Sequence, residues 1–167
     1  AGQRLSLQAR QSRTVQMLQT LIDAFASSPT TSQPAPQTIG YLVQPVLLQA
    51  SCLEPDHPVA RQVDGVGIPD LLEVTVQDTT VWLTVADIKD SPAPRYAQKW
   101  QVAWYAALLQ AWVRAYTFAL PVQVAASGVL LTRPQGDDPA PARHAFDLAP
   151  YLASLPLLLQ RIGAVLT

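Results

Sequence analysis

The stretch that decides the fold runs from Gly67 to Tyr105: GIPDLLEVTVQDTTVWLTVADIKDSPAPRYAQKWQVAWY. Its β-branched and apolar residues predict one strand over Val66–Val76 and another over Val81–Lys89. Gln77-Asp78-Thr79-Thr80 between them reads as a tight turn. Pro69 suits a strand start, an edge or a bulge better than a central ladder position. SPAP stops the second strand, and Arg95–Phe118 then predicts a long apolar helix with no breaker before Pro121.

The rest of the chain extends this pattern on both sides. Leu5–Phe25 lacks Gly and Pro and spaces its apolar residues as an amphipathic helix with a Gln- and Arg-rich polar face. SSPTTSQPAPQ predicts a flexible loop over 28–38, and Ile39–Ser51 a strand. CLEPDHPVARQ, with Pro55 and Pro58, is irregular. Val122–Thr132 predicts a further strand with Gly128 as its weak point, and RPQGDDPAPAR a loop. Asp147–Leu166 predicts a helix interrupted or kinked at Pro150 and Pro156. The order is α-β-β-β-α-β-α, the three strands forming a meander, with no internal repeat.

The 167 residues are the size of one domain, and 49% apolar content with 14% charged predicts a packed interior. A net charge of −1 is not that of a protein gripping long nucleic acid unaided, although Arg95, Lys99, Arg114 and Arg133 offer a local basic rim. Cys52, the single cysteine, excludes an internal disulfide framework and fits a reducing cytoplasm, the expected location. The longest apolar run, Trp104–Trp112, is too short to span a bilayer, so no membrane association is expected. An opening Ala and a last helix apolar to Thr167 are expected of a piece of a longer polypeptide.

The chemistry-bearing residues lie in the opening stretch. Strand alternation puts Asp87 and Lys89 on one face and turns Ile88 into the opposite layer. Asp70 sits on the neighbouring strand, within reach of Asp87. Two carboxylates in one cleft repel, and a hard cation held by carboxylates, water and the Ile88 backbone carbonyl relieves this; such ligands suit Mg²⁺ or Mn²⁺. Lys89 beside the ion would orient or deprotonate a water and offset charge on a phosphate. Gln101 and Tyr105, one helical turn apart, share a face and can reach the rim of that cleft. Each feature alone has a bland reading: a turn aspartate, a surface ion pair, a core tyrosine. Trp100, Trp104 and Trp112 read as core.

Taken together, IPD, ADIK and QVAWY resemble the PD-(D/E)XK nuclease superfamily. The QxxxY spacing is similar to the branch of the RecB nuclease domain and the CRISPR-associated adaptation exonucleases. The resemblance covers most of the chain. It implies an α/β fold with a restriction-endonuclease-like αβββαβ core, a mixed sheet flanked by helices, in one nuclease-like domain over 1–167. It further implies Asp70 and Asp87 as metal ligands, Lys89 as the catalytic lysine and Gln101 with Tyr105 as the branch motif.

The chain departs from the pattern in three places. The first helix carries no His or Glu as an extra ligand, only Asp23; Glu54 or His57 could substitute, though both read first as loop residues. The acid before x-Lys is Asp rather than Glu. Cys52 cannot hold the iron–sulfur cluster of some branch members, so none is expected.

The expected function is a metal-dependent deoxyribonuclease acting as an exonuclease or in end processing, in DNA repair or antiviral defence. Arg95 and Lys99 would join Gln101 and Tyr105 on single-stranded or frayed DNA, and a helicase or CRISPR-type partner would supply most of the affinity. The first rival is an inactive nuclease-fold scaffold or nucleic-acid adaptor; the second is a dimeric restriction-type endonuclease.

Overall fold

In the computed structural model, which describes residues 6–28, 35–49, 65–134 and 139–166, the opening stretch forms a hairpin. β4 (Leu71–Gln77) and β5 (Thr80–Ile88) pair antiparallel from Leu71↔Ala86 to Gln77↔Thr80. The reversal uses Asp78 at φ 56, a left-handed conformation that Asp adopts more readily than most residues. Alternation sends Leu72, Val74, Val76, Val81, Leu83 and Val85 to one face, where each is at most 3% exposed.

Both predicted strands that contain proline are divided there. The 39–51 segment breaks at Gln44, which has φ 47, and Pro45. β1 (Gln37–Val43) pairs antiparallel with β4, whereas β2 (Leu47–Gln49) joins β3 (Gly65–Gly67) in a separate two-stranded sheet. Pro69 likewise separates β3 from β4, since a proline has no N–H to give the ladder. The meander order survives as β1-β4-β5 within a six-stranded mixed sheet, β1-β4-β5-β7-β8, with β6 also on β5; here β6 is Val122–Val124, β7 Ser127–Thr132 and β8 Ala142–Asp147.

The predicted 122–132 strand follows one edge of β5 in two pieces, both parallel to it. β6 (Val122–Val124) runs beside its start and β7 (Ser127–Thr132) beside its end, with the Ala125 N–H donated to the Leu83 carbonyl at 2.9 Å between them. β8 (Ala142–Asp147), read from sequence as the end of a loop, is an edge strand antiparallel to β7. Pro139 and Pro141 precede it, and its half-buried Ala142, His144 and Phe146 alternate with exposed residues.

Among the described residues three helices flank the sheet. α1 (Leu7–Ala26) starts at Ser6, whose hydroxyl accepts the Ala9 N–H, and buries Thr14, Leu18 and Ile22. Part of its polar face is structural. Thr14 Oγ1 accepts the Val46 N–H at 3.0 Å, and Gln11 Oε1 accepts that of Leu48 at 3.1 Å, which holds β2 in place. α2 (Tyr96–Arg114) lies across β5, β6 and β7 with Val102, Ala103, Ala106, Leu109 and Trp112 inward.

α3 (Ala149–Leu166) packs on α2 and is one helix, so neither proline interrupts it. Pro150 falls in the first turn, where its missing N–H has no partner to lose, and the helix runs on through Pro156. The Asp147 carboxylate accepts the Ala149 N–H at 2.9 Å and caps the start. No described helix is long and apolar enough to cross a membrane. Residues 29–34 of the expected flexible loop, together with Cys52, Glu54 and His57, lie outside the described residues.

Close approach of α2 depends on Gly128: a Cβ there would sit 2.6 Å from Cγ1 of the buried Val102. Gly128→Ala should therefore destabilise by about 1–3 kcal/mol in urea or guanidinium unfolding. Backbone propensity alone predicts a gain of about 0.5–1 kcal/mol, so a stabilised variant would refute the close packing.

Candidate active site

The site grows from the place where β4 stops. With Leu71 opposite Ala86, the residue before it, Asp70, falls opposite Asp87. The ladder begins only at Leu71, so the Ile88 N–H, which points to the β4 side, has no strand partner. Asp70 Oδ2 takes it at 2.8 Å. From the other side, the Gln44 N–H donates to the Asp70 carbonyl at 2.9 Å. A strand residue's N–H and C=O leave by the same edge, so the Ile88 carbonyl faces the Asp70 side as well.

Asp87 continues the buried row of Val81, Leu83 and Val85 and is 2% exposed. Lys89, the next residue on that face, forms an ion pair with it. Burial raises the Asp87 pKa above the ordinary Asp value; Lys89 opposes the rise, and the neighbouring Asp70 carboxylate adds to it. Asp87 Oδ2, though in contact with the ammonium, makes no well-formed hydrogen bond.

α2 closes the line. Lys89 Nζ donates to Gln101 Oε1 at 2.9 Å, and Gln101 Nε2 donates to the Tyr105 hydroxyl at 2.8 Å, an i,i+4 pair. The Tyr105 ring rests on Gly67, where a Cβ would lie 3.0 Å from its Cδ1 and 2.7 Å from Leu108 Cδ1. Gly67 is the contributor that the sequence reading overlooked. Its signal was a glycine inside a strand, which marks close approach.

The fold thus brings together Asp70, Asp87, Lys89, Gln101 and Tyr105. It sets two other predicted residues apart from them. Lys99 lies about 200° round α2 from Gln101, with its ammonium 5.5 Å from the Phe146 ring centroid. Arg95 is the exposed N-cap of α2, its N–H held by Gln98 Oε1 at 2.8 Å. Arg133 is engaged at the surface with Asp90, and Arg114 sits in the last turn of α2. Ile88 does not enter an opposite layer; its residue is 55% exposed, because the sheet is open on that side at this end.

Among the described residues no three His, Cys, Asp or Glu side chains converge. The oxygens available to a cation are those of Asp70 and Asp87 with the Ile88 carbonyl. No family model matches this chain, and no curated protein matches it.

The direction of the Asp87 shift has a consequence for stability. Its folded-state pKa is raised, so from the ordinary value of 3.8 upward the folded protein holds a proton that the unfolded chain releases. Stability falls as pH rises through that window and is fully present below it. In metal-free buffer Asp87→Asn should melt higher than wild type at neutral pH, with the difference closing in acid. A variant that melts lower at neutral pH would mean that the Lys89 pair outweighs burial.

Proposed function

We propose that this protein is a metal-dependent deoxyribonuclease with a restriction-endonuclease-like αβββαβ core, of the RecB-like branch. One observation carries the reading: an unbroken line of contacts from Asp70 and Asp87 through Lys89 and Gln101 to Tyr105, drawn from two strands and a helix. The helix, meander, helix and parallel strand, in that order, support the core.

Asp70, Asp87 and the Ile88 carbonyl would hold Mg²⁺ or Mn²⁺. The fit rests on two neighbouring carboxylates, one of them the buried Asp87, whose pKa stays raised despite the Lys89 ion pair. When bound, the cation lowers the pKa of a coordinated water and polarises the scissile phosphate. Lys89, fixed between Asp87 and Gln101, orients the attacking water and offsets the charge that builds on the phosphate. Gln101 holds the ammonium in position, and Tyr105 holds Gln101. The chain is nearly neutral overall, which favours end processing or exonuclease action beside a helicase or other DNA-gripping partner in repair or antiviral defence.

The inactive-scaffold reading draws on the short ligand set among the described residues. Two measurements separate the readings. Mn²⁺ at about a hundredfold over its Kd should stabilise wild type by about 2.7 kcal/mol and leave Asp70→Asn and Asp87→Asn unmoved. On end-labelled single- and double-stranded DNA with Mn²⁺, wild type should cleave and Lys89→Ala should lose about 100-fold or more in rate while keeping its fold. Equal rates would remove Lys89 from the mechanism. A wild type that neither binds Mn²⁺ nor cuts DNA would establish the scaffold.

A further inference from the structure

The flank of α2 away from Gln101 carries a group of aromatic rings that the catalytic line does not use. Tyr96, the first residue of the helix, lies 6.2 Å from Trp100, one turn on, at an interplanar angle of 79°. Tyr151 of α3 stands 5.2 Å from Trp100 and 5.8 Å from Tyr96. Phe146 of β8 stands 5.7 Å from Tyr151. Rings that serve only to join a helix to its neighbour are covered by that neighbour. Tyr96 touches two rings and still keeps 69% of its surface in water.

Cations border these rings. Arg95 precedes Tyr96, Lys99 precedes Trp100, and among the described residues neither forms an ion pair. An exposed tyrosine braced from behind by a tryptophan and a second tyrosine, with Arg95 and Lys99 in no ion pair among the described residues, matches what an unpaired base and its phosphates require: a π face to stack on and positive charge along the backbone. Bases inside a duplex stack on one another and offer no free face.

We propose that Tyr96, braced by Trp100 and Tyr151 and flanked by Arg95 and Lys99, is a stacking ledge for an unpaired base of a DNA single strand. The proposal rests on the nuclease reading for the identity of the strand. Tyr96 and Gln101 are separated by about 7.5 Å along the helix axis, so a strand whose phosphate lies at Lys89 passes over the first turns of α2 to reach the ledge. Arg95 and Lys99, placed away from the catalytic line, have their role here. The ledge makes single-stranded or frayed ends the preferred substrate.

The test measures fluorescence anisotropy of an end-labelled single-stranded oligonucleotide and of its fully paired duplex, in EDTA so that no cleavage occurs. Tyr96→Ala should bind the single strand about tenfold more weakly, Tyr96→Phe should bind as wild type does, and duplex affinity should not change. Melting curves of the Ala variant check its fold; the exposure of Tyr96 predicts no change there. Equal single-strand affinity in Tyr96→Ala, an equal loss on duplex, or no single-strand binding by wild type would each overturn the ledge. The nuclease reading fails separately. Wild type that binds single strands through Tyr96 yet cuts no DNA with Mn²⁺ overturns that reading and keeps the ledge. Cleavage by wild type with unimpaired binding by Tyr96→Ala does the reverse.

Discussion

The hydrogen bond from the Ile88 N–H to Asp70 Oδ2 is the constraint on which the rest of the site depends. It exists because β4 begins at Leu71, opposite Ala86, so the β4–β5 ladder stops short of Ile88 and leaves its N–H to a side chain. A backbone donor at the end of a ladder takes an acceptor within reach, and here that acceptor is a carboxylate, which makes the stronger bond. Register sets Asp70 opposite Asp87, and this bond holds the Asp70 carboxylate there against the repulsion between the two acids.

That arrangement is held at an electrostatic cost, visible in the raised pKa of Asp87. Burial dominates the shift, and the single ammonium of Lys89 does not cancel it. Lys89 is in turn shared with Gln101, so its position answers to α2 as well as to β5. A group that must both offset a carboxylate and be held by a neutral amide is fixed in direction. A second positive charge between Asp70 and Asp87 would relieve the strain that Lys89 leaves, which is why the carboxylate pair and the lysine form one unit.

Much of this was legible in the sequence where period and spacing decide the outcome. Alternation alone put Asp87 and Lys89 on one face, and the i,i+4 spacing put Gln101 beside Tyr105. The meander followed from two β-rich runs around a four-residue turn. The prolines were harder to read. Pro45 and Pro69 each split a strand in two, because a missing donor ends a ladder even where flanking residues favour extension. Pro156 does not interrupt α3, since the packing of an apolar helix can outweigh one lost hydrogen bond. β8 was hidden because only alternate residues are half-buried and, of these, Phe146 alone has a marked strand preference. Gly67 beneath Tyr105, and Gln11 and Thr14 bonding to the backbone of β2, depend on tertiary approach that no local window contains.

α2 shows how one element can serve two requirements. Its inner face must come close to the sheet, and Ala103, Ala106 and the glycine at 128 make room for it. Gly67 makes room on one flank, and there Tyr105 and Gln101 descend to meet Lys89. On the other flank large rings face α3, and the helix is held off by aromatic contacts instead. This asymmetry fixes the rotation of α2 about its own axis. Turning it by one residue, about 100°, would swing Gln101 away from Lys89 and bury Tyr96 or expel it from Trp100. The small residues on one flank and the rings on the other therefore position the Gln101 amide together with its own hydrogen bonds.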